Sequence, residues 1–244
     1  MAEYFHIDYE FSPGQALERI AELCRSEAGE GAAYVCVADG NVLVQVHRDP
    51  EYRRVVQGAA FSICDSSWVP LYLKRLYGFK PQQYSGSDIF RDITGAKRYR
   101  MAFLGASQDV LDALRTQLSE VDPRIGSMLF EALPYADVDT FDYAAIAETV
   151  NAGDPDIVWV ALGAPKQERF AARLAPLLKR GVIIPVGAVF NFRSGLGIRR
   201  APEWMVKCHL EFLYRLFREP RKQLKRVWQI LRYTPDILRQ ERKA

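Results

Sequence analysis

Val158-Trp-Val-Ala-Leu-Gly-Ala-Pro-Lys-Gln-Glu168 is the stretch on which the reading of this chain turns. Its first five residues are β-branched, aromatic or small and apolar. Asp154-Pro155-Asp156 lies upstream, with Gly163 and Pro165 downstream, so the run reads as a buried strand ending in a turn. Gly163 can adopt backbone angles closed to residues with a Cβ, and Pro165 suits the first turn of a helix. Residues 166–179 then place Phe170, Leu174, Leu177 and Leu178 on one helical face. A strand that feeds a helix through a glycine turn leaves free backbone N–H groups and a positive dipole end at the carboxyl edge of a sheet, which suits an anion.

Working outward, residues 181–190 are almost wholly apolar and read as a second strand buried on both faces, as in a parallel sheet. This run contains Gly187 and empties into Asn191, Ser194, Gly195 and Gly197, then Arg199-Arg200-Ala-Pro. Two neighbouring parallel strands that end in polar, glycine-containing loops form the crevice in which open α/β sheets bind ligands. With Lys166, Arg199 and Arg200 beside those loops, a phosphate-bearing ligand is expected.

The same grammar recurs upstream. Residues 11–29 read as an amphipathic helix with Ser12 as cap and Pro13 in its first turn. Residues 32–37 are apolar, and 42–46 form either the second arm of a hairpin or a helix ending near Asp49. Residues 51–57 read as helix, 59–64 as a buried strand and 69–76 as helix. Tyr84-Ser85-Gly86-Ser87-Asp88 leads into a helix ending near Thr94, and strand 99–104 stops at Gly105. Helix 110–118, strand 126–133 and helix 141–150 complete the alternation, which predicts a mostly parallel α/β sheet flanked by helices.

Asp65 directly follows the apolar run 59–64. A carboxylate there can be held rigidly at the carboxyl edge, where burial would raise its pKa and make it a better base. The competing reading is an N-cap for helix 69–76. Asp137-Val138-Asp139 has the spacing of a metal-binding carboxylate pair. It follows Pro134-Tyr135 rather than an apolar strand, so it reads as loop and capping chemistry.

The 244 residues suffice for one large α/β domain with a full core. Cys24, Cys36, Cys64 and Cys208 are widely spaced and form no C-x-x-C pair, so they read as reduced core residues. Residues 1–10 carry acidic residues and no apolar core, unlike a signal peptide, and no apolar run reaches the roughly 20 residues of a membrane span. The net charge of +3 hides an asymmetry. Residues 199–244 hold 13 Lys or Arg against 5 Asp or Glu, and residues 1–198 hold 20 against 25. A basic module, 199–244, thus follows an acidic body, 1–198.

In that module residues 203–218 and 221–233 show apolar residues at helical spacing, including Trp204, Phe212, Trp228 and Leu231, flanked by Lys and Arg. A basic amphipathic helix with Trp can lie on an anionic bilayer or offer arginines to a diphosphate. Nucleic-acid binding is disfavoured because no known binding module accompanies the basic residues. An apolar face on such a tail would also favour self-association, so a homo-oligomer stays open. A nicotinamide-dependent dehydrogenase is disfavoured, since no G-x-G-x-x-G follows an expected strand.

Leu162-Gly-Ala-Pro-Lys-Gln-Glu168, Val186-Gly-Ala-Val-Phe-Asn191, Gly195, Arg199-Arg-Ala-Pro202 with Trp204, and Leu210-Glu211, Tyr214-Arg215 and Glu219-Pro220 resemble the signature of the WecG/TagA/CpsF glycosyltransferases. The resemblance covers nearly the whole chain and is most specific in the second half. It implies a Rossmann-like domain with a basic helical C-terminal appendage, and an inverting, metal-independent transfer needing no cofactor. The implied donor is a UDP-sugar carrying a hexose such as N-acetylmannosamine or its uronic acid. The implied acceptor is a polyprenyl-diphosphate-linked saccharide, met by a cytoplasmic enzyme peripheral to the inner face of the bacterial plasma membrane. Exopolysaccharide and related envelope glycan synthesis is the implied setting.

The resemblance matches Asp65 to the family's general base and Gly163, Gln167, Glu168 and Asn191 to its nucleotide-sugar site. Gly105, Lys166 and Gly187 join the donor side by their places at strand ends. Asp39, Ser66, Gly86 and Asp88 fall on the acceptor side, and Arg199, Arg200, Arg215, Arg218 and Arg221 are placed to meet diphosphate. The chain departs from the family pattern in having Val37 and Asp39 where Thr and Asn are usual. It also has Ser66-Ser67-Trp68 where Gly usually follows the base. Those departures leave a second reading open, a non-catalytic protein binding nucleotide or lipid diphosphate within a polysaccharide assembly complex.

Overall fold

The computed structural model describes residues 2–25, 31–196 and 220–243, without the side chains of Ala2 and of residues 220–222. Arg199, Arg200, Arg215 and Arg218, and the expected helix 203–218, lie outside the described residues, and for Arg221 only the backbone is described. The strands are β1 (Ala2–Tyr4), β2 (Ile7–Glu10), β3 (Ala33–Ala38), β4 (Phe61–Cys64), β5 (Met101–Gly105), β6 (Leu129–Glu131), β7 (Ile157–Ala161) and β8 (Val182–Pro185). They form one sheet in the order β1-β2-β4-β3-β8-β7-β5-β6, parallel throughout except for the β1/β2 pair.

The helices are α1 (Pro13–Leu23), α2 (Gly40–Arg48), α3 (Pro50–Gln57), α4 (Trp68–Tyr77), α5 (Gly86–Gly95), α6 (Gln108–Val121), α7 (Tyr143–Gly153), α8 (Lys166–Leu174), α9 (Val189–Ser194) and α10 (Pro220–Glu241). Helices α1, α5, α6 and α9 cover one face of the sheet, and α2, α3, α7, α8 and α10 the other. Steps toward the β6 edge, from β2 to β3, β4 to β5 and β5 to β6, run through the first layer, by α1, α5 and α6. Steps back, from β3 to β4, β6 to β7 and β7 to β8, run through the second, as a single crossover hand requires. Covered on both sides, β7 buries Ile157, Val158, Trp159 and Val160 completely, which is why its sequence shows no alternation. Burying Trp159 alone stabilises the fold by roughly 2 to 3 kcal/mol.

Several expectations change in detail. Residues 42–46 belong to helix α2, the second of the two readings, because Asp39 caps it by accepting from the Asn41 and Val42 N–H groups at 2.8 and 2.9 Å. Only 182–185 of the expected strand 181–190 pair in the sheet. Gly187, at φ +57°, turns the chain into α9. Of residues 126–133 only Leu129–Glu131 are strand, since Pro123–Ser127 wind into a 3-10 turn capped by Asp122. Pro165 occupies the N-cap of α8 rather than its first turn, and α8 gives way at Ala175 to a 3-10 turn containing Pro176. The expected helix 221–233 continues to Glu241 through Pro235. Its buried face persists through Ile230 and Ile237, and Glu241 accepts from the Phe5 N–H at 2.8 Å and the Tyr77 hydroxyl at 3.0 Å. The β1/β2 hairpin was not expected at all.

Candidate active site at the carboxyl edge of the sheet

The parallel strands all point their carboxyl ends to one edge. In sheet order that edge presents Asp65 after β4, Asp39 after β3, Gly187 after β8, Gly163 after β7 and Gly105 at the end of β5. Gly163 is left-handed at φ +77°, as its turn required, and a Cβ at Gly105 would lie 2.8 Å from the Ala161 carbonyl oxygen. Chain leaves β5 and β7 toward opposite faces, through α6 and α8, and opens a crevice between them. A cavity of about 730 Å³ fills it, lined by Ala106, Ser107, Leu133, Tyr135, Leu162 and Lys166 among others, a size suited to a small-molecule ligand. The expected crevice lay between β7 and β8; the cavity opens on the opposite side of β7.

Lys166 lines this cavity while its ammonium donates to the Ala136 carbonyl and lies 4.9 Å from the Phe141 ring centroid and 5.7 Å from that of Tyr135. Arg173 of the same helix donates to the Val138 carbonyl at 3.1 Å and pairs with Asp139. Loop 135–139 is therefore pinned to α8 through Asp139, while Asp137, at the N-cap of the 3-10 turn Val138–Thr140, makes no side-chain capping bond, so the expected capping is not seen. Tyr135, fully exposed at the cavity mouth, was not singled out from the sequence.

Asp65 is half-buried and oriented by backbone. Its Oδ1 accepts from the Gly86 N–H at 2.6 Å, its own N–H donates to the Ala38 carbonyl at 3.1 Å, and Gln83 Nε2 donates to its carbonyl at 2.6 Å. The alternative reading, a cap on the helix that follows it, does not hold. The N-cap of α4 is Ser67, and Asp65 instead meets the first N–H of α5. Gly86 sits in the angle of three elements: a Cβ there would lie 3.3 Å from Val37 Cγ1, 3.7 Å from Asp65 Oδ1 and 3.7 Å from Val189 Cγ2. Asp88 is engaged in capping α5, accepting from the Ser85 hydroxyl at 2.5 Å, and Arg91 lies 3.0 Å away. Ser66 Oγ is buried and makes no hydrogen bond to the described residues. Asn191 lies exposed on α9.

Behind the edge, Gln167 Oε1 accepts from the Gly163 N–H at 3.0 Å, and its Nε2 donates to Glu168 Oε1 at 2.8 Å. Glu168 has no solvent exposure. Desolvation pushes its carboxyl up to about 7, despite opposing hydrogen bonds from Gln167, the backbone and Tyr52, with the nearby Asp39 charge adding to the rise. The Tyr52 hydroxyl stands beside the carboxyl, yet neither it nor Glu168 Oε2 completes a hydrogen bond of normal geometry. Glu168 thus lies beneath the crevice rather than in it, and among the described residues it reaches the Gly163 turn through Gln167.

Among the described residues no helix is long and apolar enough to cross a membrane. On α10 the outward Leu224, Trp228 and Leu231 are all more than half exposed, and Arg232 lies over the Trp228 ring at 5.3 Å.

Two curated relatives, from Bacillus subtilis (strain 168) and Bacillus spizizenii (strain ATCC 23059 / NRRL B-14472 / W23), are 28% and 29% identical over 213 residues, 86% of this chain and 80% of each relative. Both are named N-acetylglucosaminyldiphosphoundecaprenol N-acetyl-beta-D-mannosaminyltransferase. The model of the glycosyl transferase WecG/TagA/CpsF family matches residues 5–244, and the chain belongs to that family.

Proposed function

We propose that this glycosyltransferase moves N-acetylmannosamine or a closely related hexose from a UDP-sugar to a saccharide carried on polyprenyl diphosphate, with inversion and without a metal. The observation that carries the reading is the presence, on one sheet edge, of a nucleotide-sized cavity at β5 and β7 and a backbone-held carboxylate at the end of β4. Three strand spacings separate β4 from β7, about 14 Å, on the scale of an extended nucleotide diphosphate. The names of the two relatives supply the sugar and the acceptor class.

In this reading the nucleoside enters the cavity beside Tyr135 and Lys166, and the diphosphate runs along the Gly163 and Gly187 turns toward Asn191. The sugar carbon then faces Asp65. Asp65 takes the proton of the acceptor hydroxyl as that oxygen attacks the anomeric carbon, while the bond to UDP breaks on the opposite side. Such general-base assistance accelerates transfer by roughly 10² to 10⁴. Charge developing on the departing diphosphate is met by backbone N–H groups and by arginines, which bind phosphate oxygens in planar, bidentate pairs. Arg199, Arg200, Arg215, Arg218 and Arg221 are assigned to that work, on the donor or the lipid diphosphate. The exposed apolar stripe of α10, with Lys225 and Arg232, rests on an anionic membrane surface where the lipid acceptor resides.

The test is transfer from a panel of UDP-sugars to polyprenyl-diphosphate-linked N-acetylglucosamine, with and without EDTA. Transfer of N-acetylmannosamine that EDTA leaves unchanged supports the reading. Transfer lost on EDTA and restored by magnesium removes the metal-independent part, and failure of every donor removes the substrate assignment.

A further inference from the structure

Asp39 lies at the junction of the catalytic edge and the C-terminal helix. Both of its carboxylate oxygens are engaged. Oδ1 accepts from the Asn41 and Val42 N–H groups, and Oδ2 pairs with Arg226 of α10 at 2.5 Å, across 187 positions of sequence. Both partners are half-buried, so the pair is less screened by water than an ion pair on the open surface.

The contact is embedded in a fitted seat. A Cβ at Gly40 would lie 2.9 Å from both Ile230 Cδ1 and Trp68 Cδ1, so a larger residue here would force the Ile230 side chain and the indole to shift. One turn further along α10, Thr234 Oγ1 and the Tyr72 hydroxyl are 2.5 Å apart. The seat is also wired to the candidate base, because the residue before Asp39 is Ala38, whose carbonyl accepts the Asp65 N–H.

We propose that Asp39 and Arg226 form a clasp that sets the position of the C-terminal helix over the Asp65 end of the crevice, making Asp39 a positioning residue rather than a group that touches the acceptor. The proposal rests on the functional reading above for its kinetic consequence but not for the clasp itself. Its physical content is a pairwise coupling: the two side chains matter to the helix through each other.

Asp39→Asn keeps an oxygen to cap α2 while removing the charge, and Arg226→Gln removes the other partner. The experiment measures hydrogen exchange across residues 223–241 of the full chain in each single variant, in the double variant, and in Arg226→Glu with and without Asp39→Asn. Each neutral single variant should speed exchange about five- to tenfold, with the double variant no faster than either. Arg226→Glu, which sets two carboxylates face to face, should be fastest, and adding Asp39→Asn should slow it again. With lipid-linked acceptor, the single variants should raise the acceptor KM several-fold and leave the donor KM unchanged. Unaltered exchange in both single variants, or effects that multiply in the double variant, would overturn the clasp. Coupled exchange in a protein that transfers no sugar would sustain the clasp and sink the enzymatic assignment instead.

Discussion

Asp65 and Glu168 are carboxylic acids by the same edge of the same sheet, held in opposite surroundings. Asp65 is half-buried, and a Gly86 N–H fixes the direction of one oxygen. Glu168 is sealed from solvent, receives one Gln167 amide hydrogen and leaves Oε2 without a hydrogen bond of normal geometry. A base must reach the proton it takes, and Asp65 alone of the two lies where a substrate could meet it. On the proposed mechanism, burial near the site therefore marks the wrong carboxylate for that role. What Glu168 contributes is the orientation of the Gln167 carboxamide, and through it the Gly163 turn.

Replacing both acids by their amides is the sharpest way to break this comparison. Asp65→Asn should lower kcat about 10² to 10⁴-fold while UDP affinity, measured by calorimetry, stays within a factor of two to three. Glu168→Gln keeps a group that Gln167 can bond and should keep kcat within about fivefold of the parent. If the two amides cost the same in kcat, the division of labour is wrong.

The next largest effect is on stability. A carboxyl raised from 4.5 to about 7 in the folded state binds its proton more tightly there than in the unfolded chain. Its contribution is complete below pH 4.5 and is lost as pH rises through about 7, where the loss levels off. The full loss amounts to about 3 kcal/mol. The groups facing Glu168 do not reverse that sign: the Cys36 thiol and the Tyr52 phenol are raised by burial and stay neutral, and Asp39 raises Glu168 further. Urea unfolding between pH 5 and 8 should show this decline in the parent, and a flatter profile in Glu168→Gln. Identical profiles in the two proteins would show that Glu168 is ionised throughout.

These two residues also mark what could be read ahead of the structure. The β7 to α8 unit was legible because a strand buried on both faces is continuously apolar and a glycine turn follows it. Asp65 was legible as a carboxylate at a strand end, though the backbone donor that holds it comes from Gly86, 21 residues on. The depth of Glu168 was not, since a charged residue in a helix's first turn ordinarily faces water. The β1/β2 hairpin escaped notice because its turn uses Phe5 and His6 at positive φ, where such turns normally carry Asn or Gly. The Asp39 and Arg226 contact joins residues too far apart in sequence for any local pattern to reveal.

The two ends of the edge can be separated by smaller changes. At the cavity end, Tyr135→Ala removes an exposed ring from the mouth, and loss of one base-stacking contact of roughly 1 to 3 kcal/mol should raise the donor KM about tenfold or more. Tyr135→Phe keeps the ring and should leave the donor KM nearly unaltered. An equal rise in both variants would mean that the hydroxyl, not the ring, meets the ligand.

At the opposite end, Gln83 was as invisible to sequence reasoning as Tyr135, and its effect should be the smallest. Its amide donates to the Asp65 main-chain carbonyl while its Oε1 accepts from the Ser67 hydroxyl at 3.2 Å, so it braces the turn that carries the proposed base. A single neutral hydrogen bond contributes about 1 kcal/mol, and the Gly86 N–H still orients the carboxylate when Gln83 is gone. Gln83→Ala should therefore lower kcat no more than about fivefold, with the donor KM unmoved. A kcat loss as deep as that of Asp65→Asn would shift the credit for orienting the base from Gly86 to Gln83. A rise in donor KM instead would mean that the two ends of the edge are not separate, since the hydrogen bonds of Gln83 among the described residues go to the Asp65 carbonyl and Ser67.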